Sequence, residues 1–217
     1  MAQQYLKASN LSHSYDRLLF SNIDLTLQSQ SSISIIGESG CGKSTLLHIL
    51  STFLKPASGQ VELFSKDINK ENSKSVNNIR RYKIASIFQQ HYLFRGFSVQ
   101  ENLNVSSVIS DVSIDDNMIK LFNMSHLLDK NVGDLSGGEQ QRLSILRALV
   151  KKPKIIFADE PTGNLDIKTR DVVMGTIFDY INEYNSSMVL VTHDKELAYK
   201  SDITYEIKDT KINIQSS

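Results

Sequence analysis

Residues 37 to 44 read Gly-Glu-Ser-Gly-Cys-Gly-Lys-Ser, a complete G-x-x-x-x-G-K-S phosphate loop. Such a run lets backbone N–H groups at Gly37, Glu38, Ser39, Gly40, Cys41 and Gly42 converge on an anion, because side chains at the glycines would block the approach. Lys43 supplies a cation for β- and γ-phosphates, Ser44 a hydroxyl for Mg²⁺, and Thr45 closes the cradle. Apolar Ile33, Ile35 and Ile36 lead into the loop as a strand. Leu46, Leu47, Ile49, Leu50 and Phe53 follow at helical spacing, predicting a helix over Thr45 to Leu54 that stops at Lys55 and Pro56. Its positive N-terminus faces the same anion. Strand, loop and helix in that order imply binding of a nucleoside triphosphate.

Three further segments carry chemistry. Ser136-Gly-Gly-Glu139 is a capping box opening an apolar helical face (Leu143, Leu146, Leu149, Val150). Capping explains Ser136 and Glu139, but consecutive glycines in a helix's first turn cost about 1 kcal/mol each relative to alanine. A second anion site needing bare backbone at Gly137 and Gly138 would explain them. Asp159 and Glu160 end the apolar run Ile155 to Ala158, where an α/β sheet places its ligands. Adjacent carboxylates there call for a cation, with Asp159 supporting Mg²⁺ through water and Glu160 polarising an attacking water. Val191-Thr-His-Asp194 ends another apolar run, and on spacing alone His193 is more often structural than catalytic.

The elements that must position these groups can be read from pattern. Strands are expected at Tyr5 to Ala8, Ile23 to Leu27, Ser32 to Ile36 and Gln60 to Phe64, mostly antiparallel and half exposed. Lys66 to Asn78 is a polar connection into a short helix near Arg80 and Arg81, and Ile84 to Phe88 is a strand. From His91 to Val150 the pattern is helical, with Ser98 to Glu101 a second capping box and periodic apolar residues across Ile114 to Asp129. Strands at Ile155 to Ala158 and Met188 to Thr192, with a helix over Lys168 to Asn182 between them, give a parallel sheet covered on both faces.

Together the quoted motifs, in this order over nearly the whole chain, resemble the nucleotide-binding subunit of an ATP-binding-cassette transporter. The resemblance implies an α/β fold: a P-loop NTPase core with a mostly parallel sheet, an N-terminal antiparallel β subdomain and an inserted α-helical subdomain. It implies one domain over 1–217, with residues 1–90 and 151–217 forming the core and 91–150 the helical subdomain with its signature helix. It makes His193 the switch histidine that contacts the γ-phosphate and holds Glu160. Gln89 becomes a hinge reaching Mg²⁺ and water, and Tyr15 an aromatic stacking on adenine, with ATP rather than GTP as the family's nucleotide. Ser136, Gly137 and Gly138 complete the γ-phosphate site of a second, head-to-tail copy, and Asn164, Leu165 and Asp166 cross that interface, Asp166 as the coupling residue. An integral membrane permease-type partner at the cytoplasmic face of the plasma membrane is implied as well. The Pro161 to Asp166 and Leu135 to Arg142 segments are most similar to the subgroup serving lipoprotein release, macrolide and peptide export, and cell division. A cell-division or signalling ATPase and a soluble non-transport ATPase of the superfamily are the competing functions.

Tyr92, Leu93, Phe94 and Phe97 cluster beside Gln89, as lobe core or as a partner surface. The 24 basic and 24 acidic residues cancel, giving no general reason to expect a nucleic-acid partner. The lone cysteine, Cys41, excludes a disulfide framework and fits a reducing compartment; its small side chain suits the loop sterically. The N-terminus lacks the charge and apolar core of a secretory signal, and no apolar run approaches the roughly 18 residues of a membrane span. No direct bilayer insertion is expected.

Overall fold

The computed structural model describes residues 3–163 and 165–215; Asn164 lies outside them. From the N-terminus the chain forms β1 (Gln4–Ser14), β2 (Leu18–Gln28), β3 (Ser32–Gly37), α1 (Lys43–Leu50), β4 (Ser58–Leu63), β5 (Lys66–Asp67) and α2 (Ser73–Tyr82). The middle contributes β6 (Ile84–Ile87), α3 (Val99–Ser110), α4 (Asp116–Leu121) and α5 (Gly137–Leu149). The last part adds β7 (Ile155–Asp159), α6 (Ile167–Glu183), β8 (Ser187–Val191), α7 (Lys195–Ala198), β9 (Ile203–Lys208) and β10 (Lys211–Gln215).

Two sheets result. An antiparallel sheet runs β2-β1-β4-β5, and a six-stranded sheet runs β10-β9-β3-β8-β7-β6, parallel except for β10 at its edge. Side-chain alternation with period two divides the central strands between two cores. Ile33, Ile35, Phe157, Val189 and Val191 face a core shared with α1 and the antiparallel sheet, while Ile156, Ala158, Met188 and Leu190 face the core of α5, α6 and the helical segment. Burial on both faces explains why β7 and β8 read as continuous apolar runs. The expectation of half-exposed antiparallel strands holds for β1, β2 and β4. The exception is β3, which is parallel to β8 and β9 and buried from Ser32 to Ile36.

Helix boundaries differ from the sequence expectation where side chains intervene. Helix α1 ends at Leu50 rather than Leu54, because the Ser51 hydroxyl donates to the Leu47 carbonyl at 2.7 Å and Thr52 turns to φ +73°. Arg80 holds that turn, its Nε donating to Thr52 Oγ1 at 2.9 Å and its Nη2 to the Thr52 carbonyl. Helix α2 starts earlier than expected, at Ser73, because Asn72 caps it by accepting from the Ser75 amide at 2.9 Å. Periodic apolar residues beyond Leu121 build no longer helix. Asn123 adopts φ +52°, and two short 3₁₀ turns, Ser125–Leu127 and Val132–Asp134, follow. The capping box at Ser98 forms as expected, with Ser98 N donating to Glu101 at 2.7 Å.

Candidate active site

The cleft lies at the carboxyl ends of β3, β6, β7 and β8, where a parallel sheet exposes backbone and side chains past its last hydrogen bonds. Gly37 ends β3, and the loop turns back over α1 through Gly40 (φ +76°) and Gly42 (φ +102°). Gly42 is required twice over: a Cβ there would meet Leu19 Cβ and Phe20 Cδ1, each at 3.1 Å, in a conformation that L residues avoid. Lys43 folds into the loop, its Nζ donating to the Gly37 carbonyl at 2.8 Å and the Glu38 carbonyl at 2.9 Å. Arg17, which no motif singles out, reaches over from the β1–β2 turn to donate to the Gly40 carbonyl at 3.1 Å. It lies 23 residues from its partner, so local pattern gives no sign of it.

Across the cleft, Ser44 Oγ donates to Asp159 Oδ1 at 3.1 Å, which brings a hydroxyl and a carboxylate within reach of one ion. Among the described residues no cluster of His, Cys, Asp and Glu could form a complete metal cage. Two protein oxygens beside a phosphate cradle suit Mg²⁺, which keeps waters and takes phosphate oxygens as ligands. Burial pushes the Asp159 carboxyl above its ordinary value, and the neighbouring Glu160 adds to this against the hydrogen bond from Ser44. The raised value makes the charged form costly as pH rises above the unfolded 3.8, so stability associated with this group declines with increasing pH. Asp159→Asn is therefore expected to melt higher than the natural chain at neutral pH without nucleotide, in thermal scans across pH. The difference should shrink as pH falls towards 3.8.

Glu160 stands just past β7 with φ +46°, a left-handed backbone that is rare for a side chain of this size and is often stored at functional sites. Its amide donates to the Val191 carbonyl at 2.9 Å. His193 Nδ1 lies 2.9 Å from Glu160 Oε1, and the Thr192 hydroxyl donates to Oε2 at 3.2 Å. Gln89, two residues beyond β6, reaches the same cleft, as do Tyr15, Gly163 and His193. Tyr15 is 63% exposed. The cleft has a volume of about 610 Å³.

A family model described as ABC transporter matches residues 20–163, two thirds of the chain. This chain belongs to the ABC transporter family. The lipoprotein-releasing system ATP-binding protein LolD of Rickettsia felis is 40% identical over 206 residues, covering 89% of this chain and 88% of that protein. LolD of Buchnera aphidicola is 34% identical over 218 residues, covering 95% and 96%. Among solved structures, the dimeric ATP-binding cassette MJ0796 in a post-hydrolysis state bound to ADP and Pi matches with a TM-score of 0.88 and 29% identity, covering 97% of this chain and 98% of that one. The chain is an ATP-binding ATPase of the ABC type.

In this ABC ATPase the remaining sequence-predicted residues stand apart from the cleft. Glu38 and Cys41 belong to the loop but do not line the cavity; Cys41 packs against the core beside Gly37. Ser136 caps α5 as expected, its amide and hydroxyl donating to Glu139 Oε2 at 2.7 and 2.8 Å and holding that carboxyl below its ordinary value. Among the described residues a Cβ at Gly137 would meet nothing within 4 Å, and one at Gly138 would make ordinary contacts with Leu165 Cδ2 at 3.4 Å and Arg142 Nη1 at 3.9 Å. Packing among the described residues therefore demands neither glycine. Asp166 caps α6, accepting from the Lys168 and Thr169 amides at 3.1 Å each.

Proposed function

We propose that the chain hydrolyses ATP·Mg²⁺ as one half of a head-to-tail homodimer that drives an integral membrane partner in lipoprotein release. The observation that carries the dimer is the pair of glycines at the start of α5. None of the described residues needs them bare, and their helix N-terminus stands outside the cleft that holds Lys43 and Glu160. A second copy that presents Ser136, Gly137 and Gly138 to the γ-phosphate supplies the missing reason. The dimeric form of the related cassettes supports the same arrangement.

Within each site the residues divide the work. Gly37 to Thr45 bind the phosphates, Tyr15 stacks on adenine, and Ser44 with Asp159 and Gln89 would hold Mg²⁺, which neutralises charge on the β- and γ-phosphates. Glu160 orients and polarises the attacking water, and His193 keeps the Glu160 carboxylate facing the γ-phosphate. Asp166 couples the two copies. Loss of the γ-phosphate removes the ligand that α5 of the other copy binds, so hydrolysis favours opening.

Lipoprotein release rests on the names and full-length similarity of the LolD relatives. Among the described residues no helix is long and apolar enough to cross a membrane. A cytoplasmic-face, peripheral position follows from partnership with the integral membrane protein. The docking surface lies beside Gln89. Of the two expectations for the aromatic cluster there, exposure favours the partner surface: Tyr92, Phe94 and Phe97 are 64%, 47% and 41% exposed. Buried Asn102 fixes the loop, accepting from the Phe94 amide at 3.0 Å and donating to its carbonyl at 3.1 Å, and Arg147 donates to the Tyr92 carbonyl at 2.9 Å. The adjoining groove of about 320 Å³ includes Phe88, Tyr92, Phe94, Arg147 and Lys151. Substituting Phe94 by alanine is expected to leave ATP hydrolysis by the isolated subunit intact while membrane co-purification of the integral partner is lost. Retained co-purification would remove this surface from the account.

A further inference from the structure

The sequence places a threonine before the switch histidine, and its buried hydroxyl has a direction that no motif assigns. Thr192 is 2% exposed, and its amide donates to the Ile35 carbonyl at 3.3 Å. Its Oγ1 accepts from the Asp194 amide at 3.1 Å, so the hydroxyl proton is directed away from that amide and onto Glu160 Oε2 at 3.2 Å. Asp194 is itself held by the guanidinium of Arg170 and by its cap of α7, where it accepts from the Leu197 amide at 3.1 Å. Glu160 therefore has a donor on Oε2 anchored in the fold and a contact on Oε1 from His193, whose side chain is 75% exposed.

We infer that Thr192 is a positioning residue for hydrolysis, its hydroxyl fixing the second oxygen of Glu160 so that the first stays at His193 and the attacking water. The inference rests on the reading of Glu160 as the water-polarising group. The exposed histidine alone is a loose anchor for a glutamate with several rotatable bonds. Threonine is stiff at χ1, and Thr192 is further fixed by two backbone groups, so it removes rotamers that the histidine leaves open. Misplacement of a reacting group by about 1 Å can cost roughly 10²-fold in rate, which makes the second anchor kinetically visible.

Thr192→Val removes the hydroxyl at nearly constant volume, Thr192→Ala is a second hydroxyl-free variant, and Thr192→Ser keeps the donor. Turnover, KM for ATP, ATP-dependent dimer formation by size exclusion and the melting temperature are measured for each, alone and combined with Glu160→Gln. The hydroxyl-free variants are expected to lose roughly 10- to 100-fold in kcat with KM and dimer formation unchanged, while Thr192→Ser stays within about threefold of the natural chain. In the Glu160→Gln background the same substitutions should add little, because the group they position is already gone. Full turnover in Thr192→Val or Thr192→Ala, or an equal further loss on top of Glu160→Gln, would overturn the inference and leave the role of Glu160 standing. Full activity of Glu160→Gln alone would instead remove the reading beneath it.

Discussion

Glu160→Gln is expected to bind ATP and Mg²⁺ as the natural chain does, to accumulate as a dimer, and to turn over about 10²- to 10⁴-fold more slowly. That range corresponds to roughly 3 to 5 kcal/mol of barrier, the usual contribution of a positioned acid–base group. The size follows from geometry. Glu160 projects from the end of β7 on a left-handed backbone, with His193 on one oxygen and Thr192 on the other, so a neutral amide there keeps the shape and loses the charge that polarises water. Binding is spared because none of the phosphate-holding groups changes. Steady-state hydrolysis with size exclusion in the presence of ATP and Mg²⁺ checks both halves: slow turnover together with monomers only would separate chemistry from assembly.

Lys43→Ala should fail at the earlier step. Its ammonium is already positioned by the Gly37 and Glu38 carbonyls, so a bound γ-phosphate meets a cation whose side-chain entropy has been spent in folding. Truncating such a charged contact costs about 2 to 4 kcal/mol, roughly 30- to 700-fold in Kd. Isothermal titration with a slowly hydrolysed ATP analogue measures it. The contrast with Glu160→Gln is the diagnostic feature, one variant losing affinity and the other losing rate.

Sequence pattern carried much of the fold and most of the site because the decisive features are local. The run from Ile33 to Ser44 reads as strand, loop and helix in order, and Ser136 with Glu139 or Ser98 with Glu101 are caps set by spacing alone. The site's motif residues converge because they follow β3, β6, β7 and β8 of one parallel sheet; the continuous apolar runs of β7 and β8 already imply strands buried on both faces, whereas β3, interrupted by Ser32 and Ser34, gives no such sign. Non-local contacts were hidden. The stop of α1 depends on Arg80 of α2 gripping Thr52, and the phosphate loop is braced by Arg17 from an earlier turn. Whether Phe94 and Tyr92 are core or surface was undecidable from types, since it turns on Asn102 and Arg147 binding the loop's backbone and leaving its rings outside. The direction of the Thr192 proton likewise needs the Asp194 amide in three dimensions.

The structure of Glu160→Gln with ATP and Mg²⁺ tests the central claim, that each catalytic centre is shared between two copies. The account predicts Ser136 and the amides of Gly137 and Gly138 of one copy within hydrogen-bond distance of a γ-phosphate held by Lys43 of the other. A nucleotide bound and fully enclosed by a single copy, with those glycines turned to solvent, would contradict it.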